Sequence, residues 1–364
     1  MRKKRIAIIA PYVGKINRGA ESFVIEITKK LVEYFDVDVY SGYECEEIGD
    51  NIRVIRLRNG AVWNFHNYLY NKFSIYRKIC WRFYYLIPDI LYQRRFSSKV
   101  YKNLLDNEYD LIYPNNGIWG AKMANLYRDR TGTPFIYTGH GGVGTGEKLI
   151  LREKPDKYIC LTKRHYNWAK FYTENVSLIP NGVDTAKFHK HINNLETKLV
   201  LSVGALTEFK HHEYTIKAMK NVPNAQLLIL GSGELESDLQ KYADKVLKNR
   251  CTIKSVAYSE MPKYYEKADL FVLPSDKGEA YGIVYLEAMA SNLPIVAPDD
   301  AMRREIIQDA GLYCDVSNPI EYGDCIKKAI DMDWGTIPID TATQNDWKVI
   351  SSKYKEIIDE LVNV

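Results

Sequence analysis

The sequence predicts an α/β fold in which parallel strands alternate with helices in two successive halves. Short apolar runs bounded by proline, glycine or polar residues recur along the chain, which is typical of strands buried on both faces of a parallel sheet. Segments of helical period separate several of these runs. The alternation restarts after a polar segment without periodicity, 185–198, and this segment is the best candidate for a domain boundary.

The apolar runs fix the predicted strands. In the first half these are 6–10, 37–40, 52–57, 110–113, 135–138, 158–161 and 176–179, and in the second half 199–203, 227–230, 270–273 and 294–297. Helices are expected at 20–34, from the loop after 203 to about 220, at 283–291 and at 347–361. The helix at 283–291 must end before Pro294, because proline cannot continue a helix.

Length and composition restrict the class of protein. A chain of 364 residues is long enough for two domains, each with its own core. Its hydrophobic content of 46% and charged content of 26% are typical of a soluble globular protein. A net charge of +4 is too small to indicate nucleic-acid binding across the chain. The six cysteines have no short paired spacing, so neither a zinc site nor a disulfide framework is predicted, and a reducing compartment is expected.

The amino-terminal residues imitate a signal peptide, because a basic patch precedes an apolar run. The run ends at Pro11 without a small-residue cleavage pattern, so 6–10 is better interpreted as a strand. No run is long enough to cross a bilayer. The expected location is cytoplasmic.

The stretch 268–297 carries the strongest candidate site. A loop with Glu279 follows a predicted strand, and Gly282 then introduces the helix that bears Glu287. Ligands of open parallel sheets bind in such loops, beyond the carboxyl ends of the strands. The backbone amides of 280–282 would lie at the helix amino terminus, which favours a phosphate. Two carboxylates around these amides suit a sugar joined to a nucleotide through a diphosphate, although such a pair also arises by chance.

Two further candidates lie beyond predicted strands. Gly204 ends one strand, and its loop carries Lys210, a cation placed to hold a diphosphate. His140 follows the strand at 135–138 and could donate to a ligand. Taken alone, a solvated role is the preferred interpretation of Lys210 and a structural role that of His140.

The loop around His140 also contains a weak dinucleotide-binding pattern. Gly139, Gly141 and Gly144 satisfy G-x-G-x-x-G. No clear amphipathic helix is expected directly after it, and Glu147 stands where a phosphate-binding loop would have lysine. This pattern leaves an NAD-dependent oxidoreductase as an alternative.

The stretch 53–102 is basic and rich in aromatic residues. Interleaved rings and cations are what a helix at an anionic membrane surface needs. Ordinary helices with buried aromatics and solvated cations would have the same composition. Both interpretations stay open, and nucleic-acid binding is not expected.

Taken together, the motifs resemble the retaining, nucleotide-sugar-dependent glycosyltransferases of family 4 (glycosyl transferases group 1). The matching segments follow the family order across nearly the whole chain: RGAES at 18–22, HG at 140–141, IPNGVD at 179–184, VGALTEFK at 203–210, LGSGE at 230–234 and EAYGIVYLEAMA at 279–290. The last segment contains the family's E-x7-E pattern.

The resemblance implies the GT-B architecture, which has two facing Rossmann-like domains with parallel sheets. The expected divisions are an acceptor-binding domain at 1–184, a donor-binding domain at 185–345, and a terminal helix at 346–364 that crosses back to the first domain. The cleft between the domains would close over both substrates.

The resemblance also assigns roles to residues. Glu279 would bind the donor sugar and Glu287 the ribose, while Lys210 would hold the diphosphate with the amides of Tyr281 and Gly282. The remaining binding positions are His140 and Gly19 beside the sugar, Gly204 in the Lys210 loop, and Ala257 and Tyr258 near the base. The family needs no metal or other cofactor.

One departure from the family pattern concerns the diphosphate. The family commonly has arginine after the glycine of its V-G-R motif, and this chain has Ala205. Lys210 would then act with other cations, such as Arg303 or Arg304. His211 also replaces the usual glycine.

The resemblance therefore predicts transfer of a sugar from a UDP-linked donor to a saccharide or lipid-linked saccharide, with retention of configuration at the anomeric carbon. Surface polysaccharide or glycoconjugate synthesis is the expected setting, and if the stretch 53–102 contacts a membrane, the enzyme is expected to be peripheral on the inner face of the cell membrane. A non-catalytic saccharide-binding protein of the same fold is a second alternative, which Ala205 favours.

Overall fold

The computed structural model describes residues 2–15, 19–49, 52–57, 86–115, 117–188 and 197–363. The chain divides into two compact units. Unit 1 comprises Met1–Pro180 and Ile350–Val364, and unit 2 comprises Asn181–Val349. The boundaries expected from sequence were after 184 and after 345.

Unit 1 contains two parallel sheets. The first has the order β3-β2-β1-β4 and the second the order β5-β6-β7. Their strands are β1 (Arg5–Ile9), β2 (Asp36–Ser41), β3 (Arg53–Arg56), β4 (Leu111–Pro114), β5 (Ile136–Gly139), β6 (Lys157–Cys160) and β7 (Val176–Leu178). A parallel bridge between Ile112 and Phe135 places β5 next to β4. The helices are α1 (Gly19–Leu31), α2 (Leu86–Leu105), α3 (Ile118–Thr131), α4 (Thr145–Leu151) and α5 (Lys163–Ala169).

Unit 2 contains one six-stranded parallel sheet of order β10-β9-β8-β11-β12-β13. Its strands are β8 (Lys198–Val203), β9 (Ala225–Leu230), β10 (Cys251–Lys254), β11 (Leu270–Val272), β12 (Ile295–Pro298) and β13 (Gly311–Cys314). Its helices are α6 (His212–Ala218), α7 (Glu236–Leu247), α8 (Met261–Lys267), α9 (Ile283–Ala290), α10 (Ala301–Ile307), α11 (Pro319–Asp331) and α12 (Ile337–Thr343). The last helix of the chain is α13 (Trp347–Val362).

The strand order of each unit has a switch point. Chain order reverses between β1 and β4 in unit 1, and between β8 and β11 in unit 2. In doubly wound sheets this reversal opens a crevice at the carboxyl ends of the strands, where ligands bind. The loops that follow β8 and β11 are therefore the places to examine in unit 2.

The sheets are buried because helices cover them, which explains why the strands appear as continuous apolar runs. In unit 2, Val200, Leu227, Ile229, Leu270 and Val272 belong to one hydrophobic core with residues of α6, α7 and α11. The helix α13 lies partly in unit 1, where the Tyr354 ring stacks on Tyr113. Tyr354 also shares a hydrogen bond of 3.1 Å with the Thr138 hydroxyl, at β5.

Several elements were not predicted from the sequence, among them the helices α3, α5, α7, α8, α10, α11 and α12. The strands β10 and β13 were not predicted, since their sequences CTIK and GLYC include polar residues or glycine and give no apolar run. A helix, α4, does follow the glycine-bearing loop at once, where no clear amphipathic helix was expected. It has only seven residues, too few to display an amphipathic period.

The basic aromatic stretch is described only in part, because residues 58–85 lie outside the described ranges. In α2, Tyr92, Phe96, Val100 and Leu104 are buried, and they face the core of unit 1 at intervals of four residues. Among the described helices, none has the length and apolarity required to span a membrane.

Candidate active site

The segment between β11 and α9 forms the predicted strand–loop–helix site. Gly282 caps α9 with φ of +83°, a left-handed conformation that strongly favours glycine. A Cβ there would also lie 2.7 Å from the Tyr285 ring. Within the described chain, the amides of 280–282 make no backbone hydrogen bond. The helix start therefore presents amides of the kind that bind an anion.

Lys210 and Glu279 form an ion pair at the switch point of unit 2. Lys210 ends a short 3-10 turn after β8, and Glu279 lies in the loop after β11. A backbone hydrogen bond of 3.0 Å from the Asp276 amide to the Phe209 carbonyl joins these loops beside the pair. The two side chains are only 22% and 13% exposed, so the structure brings both predicted residues together in a sheltered position.

Glu287 is 3% exposed and accepts two tyrosine hydroxyls. Tyr265 donates to Oε2 at 2.8 Å, and Tyr258 donates to Oε1 at 3.1 Å. Burial raises the pKa of the Glu287 carboxyl, while the two hydroxyl bonds act in the opposite direction. Lys187 Nζ lies 4.4 Å from the centre of the Tyr258 ring. Glu287, Tyr258 and the exposed Ala257 thus form a second group of predicted residues in unit 2.

Arg303 does not serve as the free cation that the sequence suggested. Its side chain is only 1% exposed, and the guanidinium is occupied inside unit 2. Nη2 donates to the Ser275 carbonyl and hydroxyl, both at 2.8 Å, and to the Asp276 carbonyl at 2.7 Å. Nη1 donates to Asp300 at 2.7 Å. A side chain with these partners holds the Glu279 loop, and its remaining donor, Nε, is buried without a partner among the described residues.

Arg304 is also paired. Its Nε and Nη2 donate to both carboxylate oxygens of Asp299, at 2.6 and 2.9 Å, and the guanidinium lies over the Tyr313 ring. Arg304 is 55% exposed, so a role for it beside Lys210 stays a prediction, whereas Arg303 is buried.

The two departures from the family pattern lie at either end of the Lys210 loop. Ala205 is exposed. His211 has φ of +50°, in the left-handed region, which explains why glycine is usual there. Its Nδ1 lies 3.0 Å from Glu213 Oε1, and its ring stacks on Tyr214.

Of the remaining predicted residues, Gly204 directly follows β8 in unit 2, beside the Lys210 side chain, and the others belong to unit 1. His140 follows β5, its ring packs edge-on against Phe23 at 4.7 Å between centroids, and its Nε2 is inaccessible and without a hydrogen-bond partner. Burial, with a smaller contribution from His165, lowers the pKa of His140 to about 3, so the imidazole is neutral. Gly19 begins α1, and residues 16–18 before it lie outside the described ranges.

Sequence reasoning missed three contributors to this site, namely Arg303 as a loop tether, Lys187 over Tyr258, and Tyr265 beneath Glu287. Only the role of Arg303 could have been found from a pattern in the neighbouring sequence. Asp300 caps α10 by accepting from the amides of Met302 and Arg303, and an aspartate three residues before an arginine predicts such a pair.

Two family models match the chain in succession. The model described as Glycosyltransferase Family 4 matches residues 17–187, and the model described as Glycosyl transferases group 1 matches residues 183–345. The chain belongs to family 4 of the glycosyltransferases.

Relatives are also glycosyltransferases by name. An uncharacterized glycosyltransferase of Haemophilus influenzae is 35% identical over 45% of this chain and 47% of its own length, so this chain spans about half of that relative. One from Methanocaldococcus jannaschii is 24% identical over 89% of this chain and 87% of its own. The UDP-Gal:alpha-D-GlcNAc-diphosphoundecaprenol alpha-1,3-galactosyltransferase of Escherichia coli is 29% identical, over 54% of this chain and 59% of its own.

Solved structures agree on the fold. The Anabaena protein HepE, in complex with UDP and glucose, superposes with a TM-score of 0.75 at 17% identity, over 98% of this chain and 100% of its own. Sucrose-phosphate synthase from Thermosynechococcus elongatus gives a TM-score of 0.77 at 18% identity, over 99% of both chains. The fold is therefore GT-B.

The buried histidines predict a loss of stability in acid. The pKa is lowered by burial to about 3 in His140 and to about 4 in His165 and His212. The unfolded chain, with histidine pKa near 6.5, therefore takes up protons first, and stability present above about pH 6.5 is lost as the pH falls toward 4. Each unit of pKa difference is worth about 1.4 kcal/mol.

We expect the urea midpoint to fall progressively between pH 7 and pH 5. The variant His212→Asn, which keeps a polar atom near Ser202, should show a shallower dependence on pH. A midpoint that does not change over this range would contradict the assigned protonation states.

Proposed function

We propose that this protein transfers a sugar from a UDP-linked donor to a saccharide or lipid-linked saccharide, with retention at the anomeric carbon. The observation that carries the proposal is the Lys210–Glu279 ion pair at the switch point of unit 2. It places a cation and a hydroxyl-binding carboxylate in the loops where a doubly wound sheet binds ligands.

Known proteins support the donor and acceptor classes. The Anabaena structure holds UDP and glucose, and the Escherichia coli relative is named for a UDP-galactose donor and a diphosphoundecaprenol-linked acceptor. A relative from Corynebacterium glutamicum is named as GDP-mannose-dependent, so the base needs a direct test. The proposed setting is surface polysaccharide or glycoconjugate synthesis.

The donor would be held at three points in unit 2. Glu287 accepts the ribose hydroxyls, in exchange for the hydrogen bond that it now receives from Tyr258. Lys210 and the amides of Tyr281 and Gly282 hold the diphosphate. Glu279 accepts hydroxyls of the sugar once Lys210 turns to the phosphates.

Catalysis would depend on stabilising the leaving group. Departure of the diphosphate leaves a positive anomeric centre, and charge develops on the phosphate oxygens. Lys210 and the amino terminus of α9 oppose that charge. The acceptor hydroxyl attacks from the face of the departing phosphate, which takes its proton, so no protein nucleophile is needed. His140 would lie beside the transferred sugar, and the proposal gives no role to a metal.

A membrane-facing surface on α2 would place the enzyme near a lipid-linked acceptor. Opposite its buried face, α2 exposes Ile90 and Leu91 together with Arg94, Arg95, Lys99 and Lys102. A groove of about 380 Å³ lies along Leu91, Arg94, Arg95, Ser98 and Lys99. Two aliphatic side chains among cations suit the interface of an anionic bilayer. We propose peripheral attachment to the inner face of the cell membrane through this surface.

The nucleotide site can be tested by calorimetric titration with UDP, GDP, ADP and NAD. We expect UDP to bind, and Glu287→Ala to weaken it by about 10- to 100-fold, since a hydrogen bond to a charged group contributes about 1.5–3 kcal/mol. Glu279→Gln is the control. Glu279 is proposed to bind the donor sugar, which UDP lacks, so this variant should bind UDP no more weakly than the wild type does. Binding of NAD alone would favour an oxidoreductase, and binding of no nucleotide would favour a non-catalytic saccharide-binding protein.

The role of Lys210 can be tested with the UDP-sugar that supports turnover. Lys210→Ala should lower kcat by about two to three orders of magnitude, the usual effect of removing a donor to a developing anion. Lys210→Arg keeps the charge and should retain more activity. The matched control is Lys217→Ala, an exposed lysine on the next helix. Turnover near the wild-type rate in Lys210→Ala would refute the assignment.

Vesicle sedimentation can test the membrane surface. The wild-type chain should bind vesicles rich in phosphatidylglycerol and not those of phosphatidylcholine alone. Replacing Arg95, Lys99 and Lys102 by alanine should lower the partition coefficient by roughly two orders of magnitude, because each cation contributes about 1 kcal/mol. The same substitutions at the exposed Lys217, Lys241 and Lys245 of unit 2 are the control. Failure of the wild type to bind anionic vesicles would end the proposal.

A further inference from the structure

A buried carboxylate lies beneath the loop that carries His140. Glu147, on α4, is 6% exposed. Its Oε1 accepts the amide of Gly141 at 2.7 Å, and its Oε2 accepts the Tyr158 hydroxyl at 2.6 Å. Tyr158 belongs to β6, so this one carboxylate joins the loop after β5 to the neighbouring strand.

The hydrogen bonds continue to His165. Its Nε2 lies 3.0 Å from the Tyr158 oxygen. Because the Tyr158 hydroxyl donates to Glu147, its oxygen must accept, and Nε2 of His165 must carry the proton. Nδ1 is then the bare nitrogen, and it is the atom of this ring without a partner. The chain of donors leads in one direction, from His165 through Tyr158 to Glu147.

The network explains the two glycines that flank His140. A Cβ on Gly139 would lie 2.3 Å from the Tyr158 hydroxyl and 2.4 Å from a carbon of the His165 ring. A Cβ on Gly141 would lie 2.8 Å from Oε1 of Glu147. The glycines are therefore needed for close packing of the loop on these buried groups. This accounts for two glycines of the G-x-G-x-x-G pattern without a dinucleotide.

The imidazole of His140 is held from two sides. The Phe23 ring packs against it, Glu147 accepts the Gly141 amide after it, and Gly139 before it is paired with Cys160 in the sheet. A loop of glycines would otherwise move readily, because glycine has the widest conformational freedom. Glu147 supplies the bond that limits this freedom.

We propose that Glu147 is a positioning residue that clamps the Gly139–Gly141 turn onto β6 and thereby fixes His140 for the sugar-transfer reaction. The proposal rests on the function proposed above. It assigns a role to a residue that contacts neither donor nor acceptor. Misplacement of a catalytic side chain by about 1 Å can cost about 100-fold in rate, so loss of the clamp should be visible in kcat.

The test compares the kcat of Glu147→Gln, Glu147→Ala and Tyr158→Phe in the full chain. Glu153→Gln, which changes a carboxylate just after the end of α4, is the control. We expect kcat to fall about 10- to 100-fold in Glu147→Ala, with the dissociation constant for UDP within about twofold of wild type, since the nucleotide site lies in unit 2. Glu147→Gln keeps an acceptor for the Gly141 amide and should recover part of the rate.

A double variant separates positioning from general destabilisation. If Glu147 acts through His140, adding Glu147→Ala to His140→Ala should produce little further loss of kcat. Additive losses, or normal kcat in a folded Glu147→Ala, would overturn this inference and leave the proposed function standing. Absence of turnover in the wild type with every UDP-sugar would overturn both. Thermal melts identify variants that fail to fold. If Glu147→Ala does not fold, the same comparison of kcat is made with Glu147→Gln.

Discussion

The proposed donor site of unit 2 depends on the buried cation of Arg303. Burying a guanidinium costs several kcal/mol unless its N–H groups find acceptors, so the surrounding backbone must supply them. The carbonyls of Ser275 and Asp276 do so, and this fixes the loop that carries Glu279. The same loop is joined to the Lys210 loop through Phe209. The geometry of the Lys210–Glu279 pair therefore follows from satisfying one buried charge.

The three side chains proposed to bind the donor in unit 2, Lys210, Glu279 and Glu287, already have partners within the chain. Lys210 is paired with Glu279, and Glu287 holds two tyrosine hydroxyls. Donor binding is then an exchange of hydrogen bonds, and its net free energy is far smaller than the sum of the new contacts. The arrangement has a second consequence. Because the side chains are held in place before binding, less conformational entropy is lost when the donor arrives.

The sequence predicted the parallel α/β class and most strands, because buried strands leave continuous apolar runs. It also predicted that Lys210 and Glu279 lie at the same edge of a sheet, since both follow strands at their carboxyl ends. It could not predict the direction in which a long side chain points. Arg303 was expected to face a diphosphate and instead points into the protein. Glu147 stood out only as a residue that does not fit a phosphate-binding loop, because its partner Tyr158 is brought near by the pairing of β5 with β6.

The two departures in the Lys210 loop have opposite effects on the proposed chemistry. Ala205 removes a cation, so more of the leaving-group charge falls on Lys210 and the amides of α9. His211 takes a left-handed conformation that costs about 1–2 kcal/mol for a residue with a Cβ. Its stacking on Tyr214 and its contact with Glu213 oppose that cost and hold the turn directly after Lys210. A glycine there would be less restrained. Under the proposed function, this site would have one diphosphate cation fewer than the family pattern, and the backbone turn directly after Lys210 would be more restrained than with glycine.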